Sequence, residues 1–209
     1  MAQILKFPTQ ASKLGYKRVR KCSRVAESTD QLDLFPPASA QILNIESGLS
    51  RFEQALLLDE RGDIKAAELY SKAIVEEDCV PDAYCNLGIL ESKKGNNIKA
   101  FDCFTTSLKH NPRHLEAHYN LGNLYFETND FRLAQNHYEM ATELEPSFAN
   151  AYFNLALVQA INNEFDAAVS ALDKYRQLVS EGEGRIAEEL LENLKKSLAG
   201  AKGRRFGSP

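Results

Sequence analysis

Small, polar and large apolar residues return in one fixed order every 34 residues through the middle of the chain. Leu87, Leu121 and Leu155 are each preceded by an asparagine (Asn86, Asn120, Asn154) and followed by a small residue (Gly88, Gly122, Ala156). Thirteen residues further on stands a second small residue, Ala100, Ala134 or Ala168, and four beyond it a large one, Phe104, Tyr138 or Leu172. Pro112 and Pro146 close the units. That period is the length of one helix–turn–helix unit that stacks into a solenoid. Small residues let two antiparallel helices approach, the large one fills the layer between units, and proline stops the second helix.

An earlier copy is worn. Its turn and second helix run from Arg61 to Ala73, with Ala66, Tyr70 and Ala73 in register, while its first helix sits one residue out, placing Ala55 where the next copy has glycine. The expected organisation is a flexible, basic, largely disordered arm and linker (1–46), a degenerate first repeat (47–80), three further repeats (81–114, 115–148, 149–182), a cap helix (183–199) and a basic tail (200–209). The cap is read from Arg185 to Leu198, where Ile186, Leu190, Leu191, Leu194 and Leu198 share one face. A terminal repeat needs its outer apolar face covered.

These repeated positions resemble the signature of the tetratricopeptide repeat family over about residues 47 to 179. The resemblance implies an all-α, right-handed helix–turn–helix solenoid whose concave face is lined by positions 2, 5, 6, 9, 12 and 13 of each first helix. Carried over residue by residue, the groove comprises Asn86, Tyr119, Asn120, Asn123, Phe126, Phe153, Asn154 and Leu157, with Cys85, Ile89 and Glu127 on the same face. A ladder of amides at position 6 can donate to and accept from a peptide backbone lying along it; the alternative is that the asparagines serve packing. Family members that hold a partner's C-terminal carboxylate use lysine and arginine at positions 2, 5 and 6. Here Asp82, Cys85, Asn86, Glu116, Tyr119, Asn120, Asn150, Phe153 and Asn154 stand there, and none is a cation.

Charge is unevenly spread. Residues 1–24 hold Lys6, Lys13, Lys17, Arg18, Arg20, Lys21 and Arg24 and no acidic side chain, while the rest of the chain holds 18 basic and all 29 acidic ones. A basic arm on an acidic body can neutralise phosphates, so Lys13, Lys17, Arg18, Arg20, Lys21 and Arg24 are candidate nucleic-acid contacts. The alternative is a flexible, solvated leader that interacts weakly with its own acidic domain.

Between arm and repeats, Gln31-Leu32-Asp33-Leu34-Phe35 precedes Pro36-Pro37, which favours an extended conformation. The pentapeptide resembles the motif by which bacterial proteins dock on the DNA polymerase sliding clamp. That resemblance implies Gln31 at a polar pocket edge and Leu34 and Phe35 in an apolar pocket, with Leu32 assisting. The alternative is that Leu32, Leu34 and Phe35 fold over the first repeat as an N-terminal cap. Ala2-Gln3-Ile4-Leu5 and Ala40-Gln41-Ile42-Leu43 duplicate one another, as a strand pair or by coincidence.

Chemistry is not expected of this chain. His114 and His118 stand at i and i+4, but His118 holds a position where Tyr84 and Tyr152 pack in the neighbouring copies, and Asn111-Pro112 separates His110 from both. Gly182 and Gly184 lack the Lys-Ser/Thr that follows in a phosphate loop. Neither metal nor cofactor is expected. Cys22, Cys79, Cys85 and Cys103 lack CxxC spacing and read as reduced structural thiols. No apolar run is long enough to span a bilayer, and no secretory signal is evident. The expectation is a non-enzymatic adaptor in a bacterial-type cytoplasm whose groove binds a partner peptide. The alternatives are a replication or repair accessory docked on the clamp, and a transcriptional or signalling regulator.

Overall fold

The computed structural model describes residues 15–22 and 48–180, and residues 182, 184, 185 and 187–192 of a final helix. The described residues contain helices α1 (Arg51–Glu60), α2 (Ala66–Val75), α3 (Val80–Lys93), α4 (Asn97–His110), α5 (Leu115–Glu127), α6 (Phe131–Leu144), α7 (Ala149–Ile161) and α8 (Phe165–Leu178). They fall into two compact units. The first comprises residues 18–112 and holds α1–α4; the second comprises residues 15–17 and those from 113 onward, with α5–α8. In the first unit α1 pairs with α2, α2 packs on α3 and α3 pairs with α4; the second repeats this with α5 to α8.

Within each pair the approach is set by a small residue opposite a large one. A Cβ placed on Gly88 of α3 would lie 2.7 Å from the Phe104 ring of α4, and one on Gly122 of α5 would lie 2.6 Å from the Tyr138 ring of α6. Both rings are fully buried. In the last pair the ring gives way to Leu172 and the small residue is Ala156, both members of one buried cluster. The first pair has Ala55 buried on α1, with Phe52 and Tyr70 in ring contact at 5.8 Å.

The turns inside the pairs are built alike. Gly62, Gly95, Asn129 and Asn163 adopt left-handed φ of 72°, 80°, 63° and 65°. Each donates its N–H three residues back, and the next residue donates five back: Asp63 to Leu58, Asn96 to Glu91, Asp130 to Tyr125 and Glu164 to Gln159. These are Schellman ends, in which a residue without Cβ strain, or an asparagine, reverses the chain. They locate the register slip of the worn copy. Three residues separate Asp63 from Ala66, where four separate Asn96 from Ala100, so the missing residue lies after the turn and before α2.

Between pairs, proline does what the pattern requires. Asn111 and Glu145, each preceding a proline, are extended at φ −137° and −139° and end α4 and α6. The α2–α3 connection has no such proline; Glu77 and Cys79 take φ of 57° and 54° instead. At the other end of the second unit, Ala187, Leu190 and Leu191 are buried with Leu172 and Tyr175 of α8. Leu194, Leu198 and the side chain of Ile186, also expected on the cap face, lie outside the described residues.

Tyr138 is held at its hydroxyl by Asn123 Oδ1 at 2.8 Å, so its ring has little freedom to tilt away from an added methyl. Gly122→Ala is therefore expected to destabilise the chain by about 1–3 kcal/mol. Urea unfolding followed by circular dichroism measures this, and an unchanged midpoint would show that the helix pair adjusts freely.

Candidate functional site

The asparagines expected to line a groove are fully buried, and a side-chain amide in that setting needs partners for both its oxygen and its nitrogen. In the second unit Asn120 of α5 finds them on Lys17. The Lys17 N–H donates to Asn120 Oδ1 at 2.7 Å and Asn120 Nδ2 donates to the Lys17 carbonyl at 2.9 Å. In the first unit Asn86 of α3 holds Val19 in the same way, at 2.8 and 2.9 Å. Lys17 and Val19 are alternate residues of one segment without helix or turn, as a strand-like occupant requires. Asn123 donates to the Gly15 carbonyl at 3.3 Å.

Side chains add charge to these main-chain contacts. In the second unit Tyr16 donates its hydroxyl to Glu127 at 2.8 Å, and Lys17 Nζ lies 3.4 Å from Glu116 and 4.0 Å from the centre of the Phe148 ring. In the first unit Arg18 Nη2 meets Asp59 Oδ1 at 2.7 Å, and Tyr70 donates to the other oxygen of Asp59 at 3.3 Å. Burial raises the Asp59 carboxyl above its ordinary range, while Arg18 and, next, Lys93 oppose that rise. The side chain of Val19 is buried, and Cys22 is joined to Cys79 by a disulfide.

The other expected groove residues occupy different settings. Tyr119 is buried against Tyr138 and Phe148, with ring centres 6.0 and 4.8 Å away, and its hydroxyl accepts from Asn154 Nδ2 at 3.1 Å; burial lifts its pKa to about 12. Phe153 packs on Tyr175, Phe126 meets Phe131 edge-on, and Leu157 is buried in the same cluster. Asn154 also donates to Asn123 Oδ1, but its own Oδ1 has no hydrogen-bond partner among the described residues.

Of the candidate nucleic-acid contacts, Lys17 and Arg18 bond to carboxylates of the chain itself, and Arg20 and Lys21 are exposed. Lys13 and Arg24 lie outside the described residues, as do Gln31, Leu32, Asp33, Leu34, Phe35 and the duplicated Ala-Gln-Ile-Leu segments. The reading of all four cysteines as reduced thiols is corrected: Cys85 and Cys103 are not in a disulfide, but Cys22 and Cys79 are bonded to each other. Helical spacing could not reveal this, because Cys22 reaches Cys79 only once residues 18–19 lie against α1 and α3. Asp59, Tyr70 and Phe148 were absent from the expected site, since the motif positions start from first-helix faces and do not say where an arm's cations land.

Cys22, Cys79 and Asp82 have ligand atoms within 4.8 Å of one another, a spacing a metal could use. The two sulfurs are bonded to each other, however, and a metal needs thiolates. His114 caps α5 by accepting from the Ala117 N–H, and His118 Nδ1 lies 3.0 Å from His137 Nδ1 on α6.

Two descriptions of one family match this chain. Tetratricopeptide repeat family models match residues 79–147 and 119–183, together spanning half of the sequence. The chain belongs to the tetratricopeptide repeat family. Among curated proteins it is similar to protein O-mannosyl-transferase TMTC1 of Homo sapiens, 30% identical over 152 residues, which are 70% of this chain and 17% of that protein. The chain thus spans about a sixth of that relative's length. Among solved structures it is similar to the first TPR of Spaghetti (RPAP3) bound to HSP90 peptide SRMEEVD, with TM-score 0.53, 21% identity and coverage of 57% of this chain and 93% of that one. It is also similar to MamA, with TM-score 0.54, 21% identity and coverage of 71% and 96%. At such identities the shared property is the repeat fold. No helix among the described residues is long and apolar enough to cross a membrane.

The histidine pair makes stability depend on pH. Burial, then the neighbouring His118, lowers the His137 pKa from its ordinary 6.5 to about 4. Between those values the unfolded chain takes up a proton that the folded chain does not. Stability is therefore retained above pH 6.5 and falls as pH drops toward 4, by at most about 3 kcal/mol. Urea midpoints at pH 7 and pH 4.5 should show the loss, and His137→Gln should flatten it; equal slopes for parent and variant would assign the acid sensitivity elsewhere.

Proposed function

We infer that this chain is a non-catalytic interaction module whose concave face binds an extended peptide through its main chain. The observation that carries this reading is the paired hydrogen bonding of Asn86 and Asn120 to alternate residues of the segment lying on them. Main-chain recognition gives affinity to any extended sequence, and the surrounding side chains select among sequences. The unpartnered Oδ1 of Asn154 offers a further acceptor of the same kind. The tetratricopeptide repeat structure bound to SRMEEVD holds an acidic peptide. Here Asp59, Glu116 and Glu127 instead face basic and hydroxyl groups.

Panning a displayed peptide library against the protein, then measuring selected peptides against Asn86→Ala and Asn120→Ala chains, tests this reading. Each variant removes two hydrogen bonds of about 0.5–1.5 kcal/mol each, so affinity should fall roughly 5- to 150-fold. Unchanged affinity in both variants, with folding intact by circular dichroism, would remove the groove from the function.

A second reading rests on Gln31-Leu32-Asp33-Leu34-Phe35, which matches all five positions of the clamp-docking motif. It makes the chain an accessory of a bacterial sliding clamp, with the exposed Arg20 and Lys21 free to contact DNA. Purified clamp should retain the parent chain and release a Leu34→Ala, Phe35→Ala double variant. Equal retention of both would leave the motif idle.

A further inference from the structure

The first unit specifies more about an occupant than its backbone. The Asp59 side chain is 3% exposed, and the guanidinium that meets it belongs to the arm, not to the helices. A buried carboxylate that loses its hydrogen-bonded cation keeps only the weaker pull of Lys93, so an occupant that brings positive charge to that point is favoured. One residue on, Asn86 takes both main-chain groups of Val19, and the Val19 side chain is 5% exposed. The next two residues, Arg20 and Lys21, are exposed and contribute little selection. The site therefore reads an extended backbone, a cation, and an aliphatic side chain immediately after it.

The occupant is also fastened covalently. Cys22, three residues past Val19, is bonded to Cys79, the residue that precedes α3. Both cysteines are partly exposed and line an open cleft with Glu76, Glu77, Asp78 and Asp82, so a small reductant can reach the sulfurs. Cys79 itself sits in a left-handed conformation at φ 54°, in the one connection between pairs that lacks a proline.

We propose that residues 18–22 are a tethered occupant of a site in the first unit for extended peptides carrying a cation followed by an aliphatic residue, and that the Cys22–Cys79 disulfide latches that site closed. This rests on the groove-binding reading above. A dithiol reductant opens the latch. Its thiolate attacks one sulfur to give a mixed disulfide and release the other cysteine as a thiolate; its second thiolate then displaces the first sulfur. Two electrons and two protons pass to the protein, leaving two cysteine thiols and a cyclic disulfide of the reductant. The freed arm stays attached through residues 23–47 and still competes, but as a reversible ligand that a partner peptide can displace.

The test uses the full chain and a fluorescent synthetic octapeptide with the sequence of residues 15–22, serine replacing its cysteine. Anisotropy should show at least tenfold tighter binding to chain treated with dithiothreitol than to oxidised chain, and the same gain without reductant for Cys22→Ser and Cys79→Ser chains. A probe carrying the Arg18→Glu change should bind at least tenfold more weakly. Circular dichroism shows whether each chain stays folded; if a serine variant does not, reversible reduction of the parent gives the same comparison. Equal affinity for oxidised and reduced chain overturns the latch. Equal affinity for both probes overturns the cation preference and leaves the groove reading standing. If reduction exposes Arg18 to Lys21 to rapid tryptic cleavage and neither probe binds, the groove reading itself fails. If cleavage stays slow and neither probe binds, the disulfide is not what holds the arm.

Discussion

The side-chain amides of Asn86 and Asn120 are fully buried, and each exchanges both of its hydrogen-bonding groups with a residue of the arm in its own unit. An amide without hydrogen bonds in such a setting costs roughly 1–3 kcal/mol, and a second backbone is well suited to meet both its donor and its acceptor. Tyr70 supplies one bond to Asn86, but the paired contacts come from Val19, as those of Asn120 come from Lys17. The extended course of the arm follows from this. Within the first unit, Asn86 holds both main-chain groups of Val19 while the residue before it, Arg18, reaches Asp59.

The fold was legible because each packing event recurs in the same order. Gly88 under Phe104 and Gly122 under Tyr138 are short-range consequences of helix spacing, and a period of 34 makes them visible without coordinates. The prolines at 112 and 146 were legible for the same reason, since a residue before proline has little choice of conformation. The slip in the first copy was visible as a one-residue offset, but placing it between Asp63 and Ala66 required the hydrogen bonds of the turn.

The site was legible only on one side. The amide ladder could be read from position 6 of each copy, and the basic arm from its composition, yet nothing in either names the other. Arg18 meeting Asp59 is a contact between residues 41 apart with no shared period, and Lys17 settling over Phe148 depends on where the backbone has already been fixed. The cysteines show the limit most clearly. Spacing rules judge cysteines by their neighbours in sequence, whereas Cys22 and Cys79 are brought together by hydrogen bonds that neither of them makes.

That bond also changes the topology of the chain. It joins residues 57 apart in sequence, so everything from Cys22 to Cys79 becomes a covalent ring with α1 and α2 on its circumference. Closing a ring of that size removes unfolded-state freedom worth about 4 kcal/mol in the chain-entropy account. Residues 31–35 lie on the ring and not on a free tail. A single cut between Cys22 and Cys79 would therefore open the loop without parting the protein.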